Sequence, residues 1–155
     1  LLDRDHTDLA SLNITTLLWA VTRLLGVDLA PADLSLDAVN AAIAGDGRVR
    51  LQRILLASQM STRRPEGRQQ GNAWIAGLCR EVGADEYLCG GTAAGNYMEK
   101  DFFNDRGIEP VIQSWHCARY PQQFEGRHDF TPNLSILDLL LNVDPGTALA
   151  VVHPR

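Results

Sequence analysis

One carboxylate stands out by its setting. Asp138 lies within Thr131-Pro132-Asn133-Leu134-Ser135-Ile136-Leu137-Asp138-Leu139-Leu140-Leu141-Asn142, a run too apolar to be a wholly exposed helix. An unpaired buried charge is strongly unfavourable, so a carboxylate here must find donors. Backbone amides of a neighbouring loop, an Arg side chain or the amine of a bound substrate would serve. Thr131 is a suitable cap, with Pro132 at the first helical position. Helical spacing then sets Leu134, Leu137 and Leu141 in one apolar row and Thr131, Ser135, Asp138 and Asn142 on one polar stripe. The stripe carries no Lys, Glu or Arg, which ordinary solvent faces usually do. It reads either as a solvated face or as the lining of a polar cavity, where buried polar groups need partners.

A second constellation is Tyr87-Leu88-Cys89-Gly90-Gly91-Thr92-Ala93-Ala94-Gly95-Asn96-Tyr97, a strand running through a glycine-rich turn into a helix. Gly90 and Gly91 would let backbone amides approach a ligand, and a helix start favours an anion. Thr92 or Asn96 would add a side-chain hydrogen bond. The pattern is neither a Walker loop nor a dinucleotide fingerprint. It equally suits a tight turn that needs glycine for its backbone angles.

The third is Gln113-Ser114-Trp115-His116-Cys117-Ala118-Arg119-Tyr120-Pro121-Gln122. His116 beside Cys117 is no catalytic pair, because adjacent strand residues point to opposite faces. Cys117 reads as a small buried residue. His6, His116, His128 and His153 are scattered, and Cys79, Cys89 and Cys117 lack zinc spacing, so no metal site is expected. Trp19, Trp74, Phe102 and Phe103 occupy apolar periodic positions that suit a core. Arg63, Arg64 and Arg68 suit a solvated loop, or an anionic ligand if that loop follows a strand end.

The elements that must hold these residues follow from periodicity. Thr7 or Asp8 caps a helix running to about Leu25, with Leu9, Leu12, Leu17, Val21, Leu24 and Leu25 as its apolar face and Gly26 as its stop. Ser35 caps a shorter helix ending at Gly45. Ile54–Ala57 reads as a buried strand and Asn72–Val82 as a helix. Glu86–Cys89 is a strand, Asn96–Arg106 a helix and Ile108–Trp115 a strand. Pro110 makes that last strand an edge or irregular at its start. Thr131–Asn142 is a helix, and Thr147–Val152 could add a final strand. The expected fold class is α/β: a mainly parallel sheet with crossover helices, preceded by one or two N-terminal helices. Ligands in such sheets bind beyond the carboxyl ends of the strands. The turn at Gly90–Gly95 and the stripe bearing Asp138 are expected to face a common cavity.

Composition bounds the rest. A chain of 155 residues with 45% hydrophobic content suits one domain with a real core. Its net charge of −5 disfavours a sequence-independent grip on nucleic acid. The odd, sparse set of cysteines fits a reducing compartment, and no apolar run has the length of a membrane span. A cytoplasmic location is the corresponding expectation.

The stretches Gly83–Gly91 and Pro132–Asn142, with Gly107-Ile108 and the Tyr120-Pro121-Gln122 triplet between them, resemble the WbqC-like protein family. The resemblance covers roughly Asp8 to Asn142, and only loosely before Arg53. Members usually have Ser where Cys89 stands, and an aromatic residue with Cys-Gly after the last motif. They usually begin with a strand carrying His-Gln-Pro, which this sequence lacks. The resemblance is thus to the C-terminal two-thirds of a member. The chain is expected to be a single α/β domain over residues 1–155, or a fragment of a longer WbqC-like protein. The resemblance implies a bacterial protein of O-antigen or related polysaccharide biosynthesis, and for some members transfer of an amino acid such as glycine to a sugar.

Joined to the residue reading, this points to a transferase that moves an acyl or aminoacyl group onto an amino sugar or similar amine. Asp138 is the candidate catalytic residue. Gly90, Gly91, Thr92, Asn96, Tyr97, Gln113, Tyr120, Gln122, Asn133, Ser135 and Asn142 are candidate substrate-binding residues. The expected partner is a small-molecule substrate, not nucleic acid, and the cofactor is unknown. The alternative is a non-catalytic ligand-binding module, or a partial subunit completed by a homo-oligomeric partner or a missing N-terminal segment.

Overall fold

Two compact units make up the chain in the computed structural model: Leu1–Ile54 with Cys117–Arg155, and Leu55–His116. Residues 5–66, 70–91, 98–124 and 126–152 are described.

In the first unit, helix α1 spans Leu9–Leu25. The Asp8 carboxylate accepts the Ser11 amide at 2.8 Å, satisfying a donor that the helix start leaves without a partner. Gly26 closes α1 at φ +67°. The second helix, α2, covers Leu36–Ala44 under a Ser35 cap. The expected apolar face of α1 needs correction, since Leu9 and Leu17 are 71% and 50% exposed. The reason is that α1 is packed on two sides. Its Leu18 and Leu25 meet Val39 and Ile43 of α2, while Ala20 joins a second cluster with Tyr120, Leu139, Leu140, Ala148 and Val151.

That second cluster comes from two late helices in this unit, Ile136–Asn142 and Pro145–Val152. The strand expected at Thr147–Val152 is therefore helical. Asp144 accepts the amides of Gly146 and Thr147 at 3.0 and 3.1 Å, and Pro145 sits at the first helical position. Cap and proline together start a helix despite the β-branched residues.

Nor is Ile54–Ala57 a strand; a single turn of 3₁₀ helix forms at Ala57–Gln59. The backbone of Ile54 is claimed in both directions by one side chain of α2. Its N–H donates to Asn40 Oδ1 at 2.7 Å, and its C=O accepts from Asn40 Nδ2 at 3.0 Å. An amide that satisfies both main-chain groups removes the need for a strand neighbour.

In the second unit, helix α3 (Gly71–Val82), strand β1 (Glu86–Cys89), helix α4 (Lys100–Asn104) and strand β2 (Glu109–Ile112) follow in order. The strands pair in parallel, Glu86 opposite Glu109 and Cys89 opposite Ile112, with α4 in the crossover. The late helices of the first unit are accordingly α5 (Ile136–Asn142) and α6 (Pro145–Val152). Phe103 of α4 is fully buried among Ala76, Cys79, Cys89, Met98 and Ile108, and the Tyr87 ring stacks on it at 5.4 Å. Six helices and one two-stranded parallel sheet among the described residues make a mixed α/β arrangement. Pro110 lies in a sheet whose strands are both edges, where a missing N–H is tolerated.

A loop is latched onto α3. The Glu81 carboxylate accepts the amides of Ser61 and Thr62, each at 2.7 Å. Beside it, Gly77 lets Thr62 approach: a Cβ there would lie 2.8 Å from Thr62 Cγ2.

Candidate functional site

Asp138 enters α5 near its start and is half-buried. Its helix is shorter than the sequence suggests. Asn133 takes a left-handed φ of 59°, which interrupts helical continuation, so Ser135 rather than Thr131 is the cap. The Ser135 hydroxyl accepts the Leu137 amide at 3.2 Å and so serves the helix end. Thr131 and Ser135 therefore leave the expected stripe, which retains Asp138 and Asn142.

Three side chains converge on the Asp138 carboxylate. Tyr120 Oη donates to Oδ2 at 2.9 Å, and Gln122 Nε2 donates to the same oxygen at 3.3 Å. Asn142, one helical turn on, donates through Nδ2 to Oδ1 at 3.3 Å and to the Asp138 carbonyl at 2.7 Å. These are neither the backbone amides nor the Arg that the sequence suggested. All three donors are neutral. Among the described residues, Oδ1 receives the long bond from Asn142 alone and keeps acceptor capacity for a further donor.

Gln122 does a second job. Its Nε2 donates to the Thr131 carbonyl and its Oε1 accepts the Thr131 amide, both at 2.9 Å. This double bond of side chain to backbone closes the loop from 122 to 131 at its neck. Beneath it, Tyr120 is 5% exposed and meets Phe130 edge to face at 5.4 Å. The Arg119 guanidinium lies 5.1 Å from the Phe130 ring centroid. Burial first, then the neighbouring Asp138 carboxylate, push the Tyr120 phenol above its ordinary value, while Gln122 opposes them. Tyr120 therefore holds its proton as donor through the neutral range.

In the second unit, Gly90, Gly91 and Gln113 stand at the carboxyl ends of β1 and β2. The Gln113 amide donates to the Cys89 carbonyl at 2.8 Å and extends the ladder past the strands. Neither Gly90 nor Gly91 has a positive φ, and a Cβ at either would meet nothing within 4 Å. Among the described residues, then, neither a left-handed angle nor a close neighbour demands glycine at these two positions. Thr92, Asn96 and Tyr97 lie outside the described residues. A shallow cavity of about 440 Å³ occupies the opposite strand ends, lined by Asp85, Glu86, Asn104, Gly107, Ile108 and Glu109.

The other singled-out residues are accounted for by packing. Cys89 is buried with its thiol 3.4 Å from Met98 Sδ. Cys117 is half-buried against the Tyr120 cluster. Trp19 and Phe102 pack at core edges, and Arg64 lies 5.4 Å from the Trp74 ring centroid. Arg68 and His153 lie outside the described residues. Among the described residues, no three His, Cys, Asp or Glu side chains cluster as metal ligands would. Among them, too, no helix is long and apolar enough to cross a membrane.

The sequence named Tyr120, Gln122, Asp138 and Asn142 but not their partnership. A bond between Tyr120 and Asp138 spans a loop of irregular backbone, and no periodicity foretells it. The profile of the WbqC-like protein family matches residues 47–149 of the 155. No curated protein and no solved structure matches the chain significantly. The matched span contains the whole Asp138 network and both strands, and the chain belongs to the WbqC-like protein family.

Proposed function

We propose that this protein transfers an acyl or aminoacyl group, such as glycyl, to the amine of an amino sugar or similar acceptor in bacterial surface-polysaccharide or specialised-metabolite biosynthesis, acting in the cytoplasm. The observation that carries this reading is the Asp138 carboxylate, fixed by Tyr120, Gln122 and Asn142 with Oδ1 still able to accept. An acceptor ammonium donates to Oδ1 and is oriented there. One ammonium proton passes to Asp138 and frees the nitrogen lone pair. The amine attacks the acyl carbonyl and a C–N bond forms. The bond from that carbonyl to the donor's leaving group breaks, the leaving group taking the electron pair and the second N–H proton. Holding the carboxylate with three side chains fixes its direction before substrate arrives. Gly90, Gly91 and Gln113, at strand ends where ligands of α/β sheets gather, are proposed as a ligand-binding position within the second unit.

One observation favours a second reading. The network satisfies itself: Asp138 has donors, and Gln122 spends both ends of its amide on Thr131. A non-catalytic binding module, or a partial subunit completed by another copy or segment, would use the same clamp to hold a loop.

Binding of methyl β-glucosaminide and methyl β-glucoside separates amine recognition from shape. Calorimetric or NMR titration should show the glucosaminide bound roughly tenfold or more tightly, the size of one charge-assisted hydrogen bond. Equal binding of the two, or none of either, contradicts an amine acceptor at this site.

A further inference from the structure

The loop closed by Gln122 and Thr131 has an unusual tip. Phe124 adopts φ +70°, a left-handed conformation that a bulky side chain rarely takes without compensation. The residue stays largely in solvent, being 64% exposed. The tip is nonetheless fixed, because the amides of Arg127 and His128 both donate to the Phe124 carbonyl, at 2.8 and 3.1 Å. Folding alone favours Gly or Asn at such an angle, and neither is present. An exposed aromatic ring on a strained, well-anchored turn is an arrangement that binding loops use.

We propose that Phe124 is the stacking platform for the acceptor, with its ring against the apolar C–H face of a pyranose. The proposal rests on the amino-sugar reading above and adds the residue that selects a flat ring. Phe124 is two residues beyond Gln122, so its Cα lies within about 7 Å of the Gln122 Cα. Gln122 in turn bonds Asp138. A sugar seated on the ring lies on the same loop as the Gln122 that bonds the Asp138 carboxylate. Aromatic faces carry negative quadrupole density and attract the slightly positive C–H bonds of a sugar, the more so beside an ammonium group.

Saturation-transfer NMR with methyl β-glucosaminide tests this on the whole chain, comparing wild type with Phe124→Gly, Phe124→Trp and Asp138→Asn. Glycine suits the backbone angle and removes the ring. Phe124→Gly should keep the melting temperature at or above wild type while affinity falls roughly tenfold. Phe124→Trp should retain affinity, and transfer in wild type should be strongest on the axial C–H face. Unchanged affinity in Phe124→Gly overturns the platform, and if Asp138→Asn still lowers affinity the acceptor reading survives without it. A fall in melting temperature in Phe124→Gly together with lost binding makes the ring structural and also overturns the platform. No binding by wild type overturns both readings.

Discussion

Tyr120 is where packing and chemistry meet most closely. Its ring is buried against Phe130, and its hydroxyl is aimed at Asp138 Oδ2. Tyr120→Phe keeps the ring and deletes one hydrogen bond, which should cost about 1 kcal/mol of stability in urea unfolding. A loss above about 3 kcal/mol would mean that the hydroxyl organises more than this one bond. The phenol is also a pH reporter. Its folded value lies above its unfolded value near 10, so its contribution is complete below 10 and is lost as pH rises through the raised folded value. In an ultraviolet titration of the folded protein, one of the 3 tyrosines should ionise late. That late step should vanish in Tyr120→Phe, and its persistence would refute the assignment. At this scale the sequence was informative in kind but not in partner. It showed that Asp138 needed donors, because apolar neighbours make an isolated charge costly. It could not show that Tyr120, Gln122 and Asn142 supply them, because two of the three arrive from a loop.

At the scale of elements, the latch of Glu81 over Ser61 and Thr62 gives two checks. The side-chain bond from Thr62, then the Ser61 and Thr62 amides, hold the Glu81 carboxyl down at about 2 from its ordinary 4.5. The stability it confers is therefore present above 4.5 and lost as pH falls through about 2. Amide shifts of Ser61 and Thr62 should titrate with a midpoint near 2, and a midpoint near 4.5 would mean the latch is open in solution. Gly77 offers the second. Gly→Ala within a helix ordinarily gains up to about 1 kcal/mol. Here the new Cβ would lie 2.8 Å from Thr62 Cγ2, and overpacking of that kind costs about 1–3 kcal/mol. Gly77→Ala should therefore destabilise wild type by up to about 2 kcal/mol, yet be neutral or stabilising in a Thr62→Ser background. Stabilisation in wild type would contradict the contact. Elements with local signals were readable in advance: Asp8 and Gly26 around α1, Ser35 before α2, and Gly83 after α3. The failures had non-local causes or stronger local ones. Asn40 replaced strand pairing at Ile54, the Asp144 cap and Pro145 made a helix of Thr147–Val152, and the left-handed Asn133 delayed α5.

For the whole molecule, alternation of strand and helix gave the parallel pair β1 and β2 with α4 between them, so the α/β class was legible while the extent of the sheet was not. The family match over residues 47–149 includes the segments that build the Asp138 network. The central claim is that this network serves an acceptor amine and does more than hold a loop. Asp138→Asn keeps the shape, lets Tyr120 and Gln122 remain bonded to an oxygen, and removes the charge. The most direct measurement is the melting temperature of Asp138→Asn set beside its affinity for methyl β-glucosaminide. The account predicts a melting temperature within a few degrees of wild type and an affinity reduced at least to that of methyl β-glucoside. A large fall in melting temperature with glucosaminide affinity preserved in the folded fraction would make Asp138 a structural clamp and contradict the account.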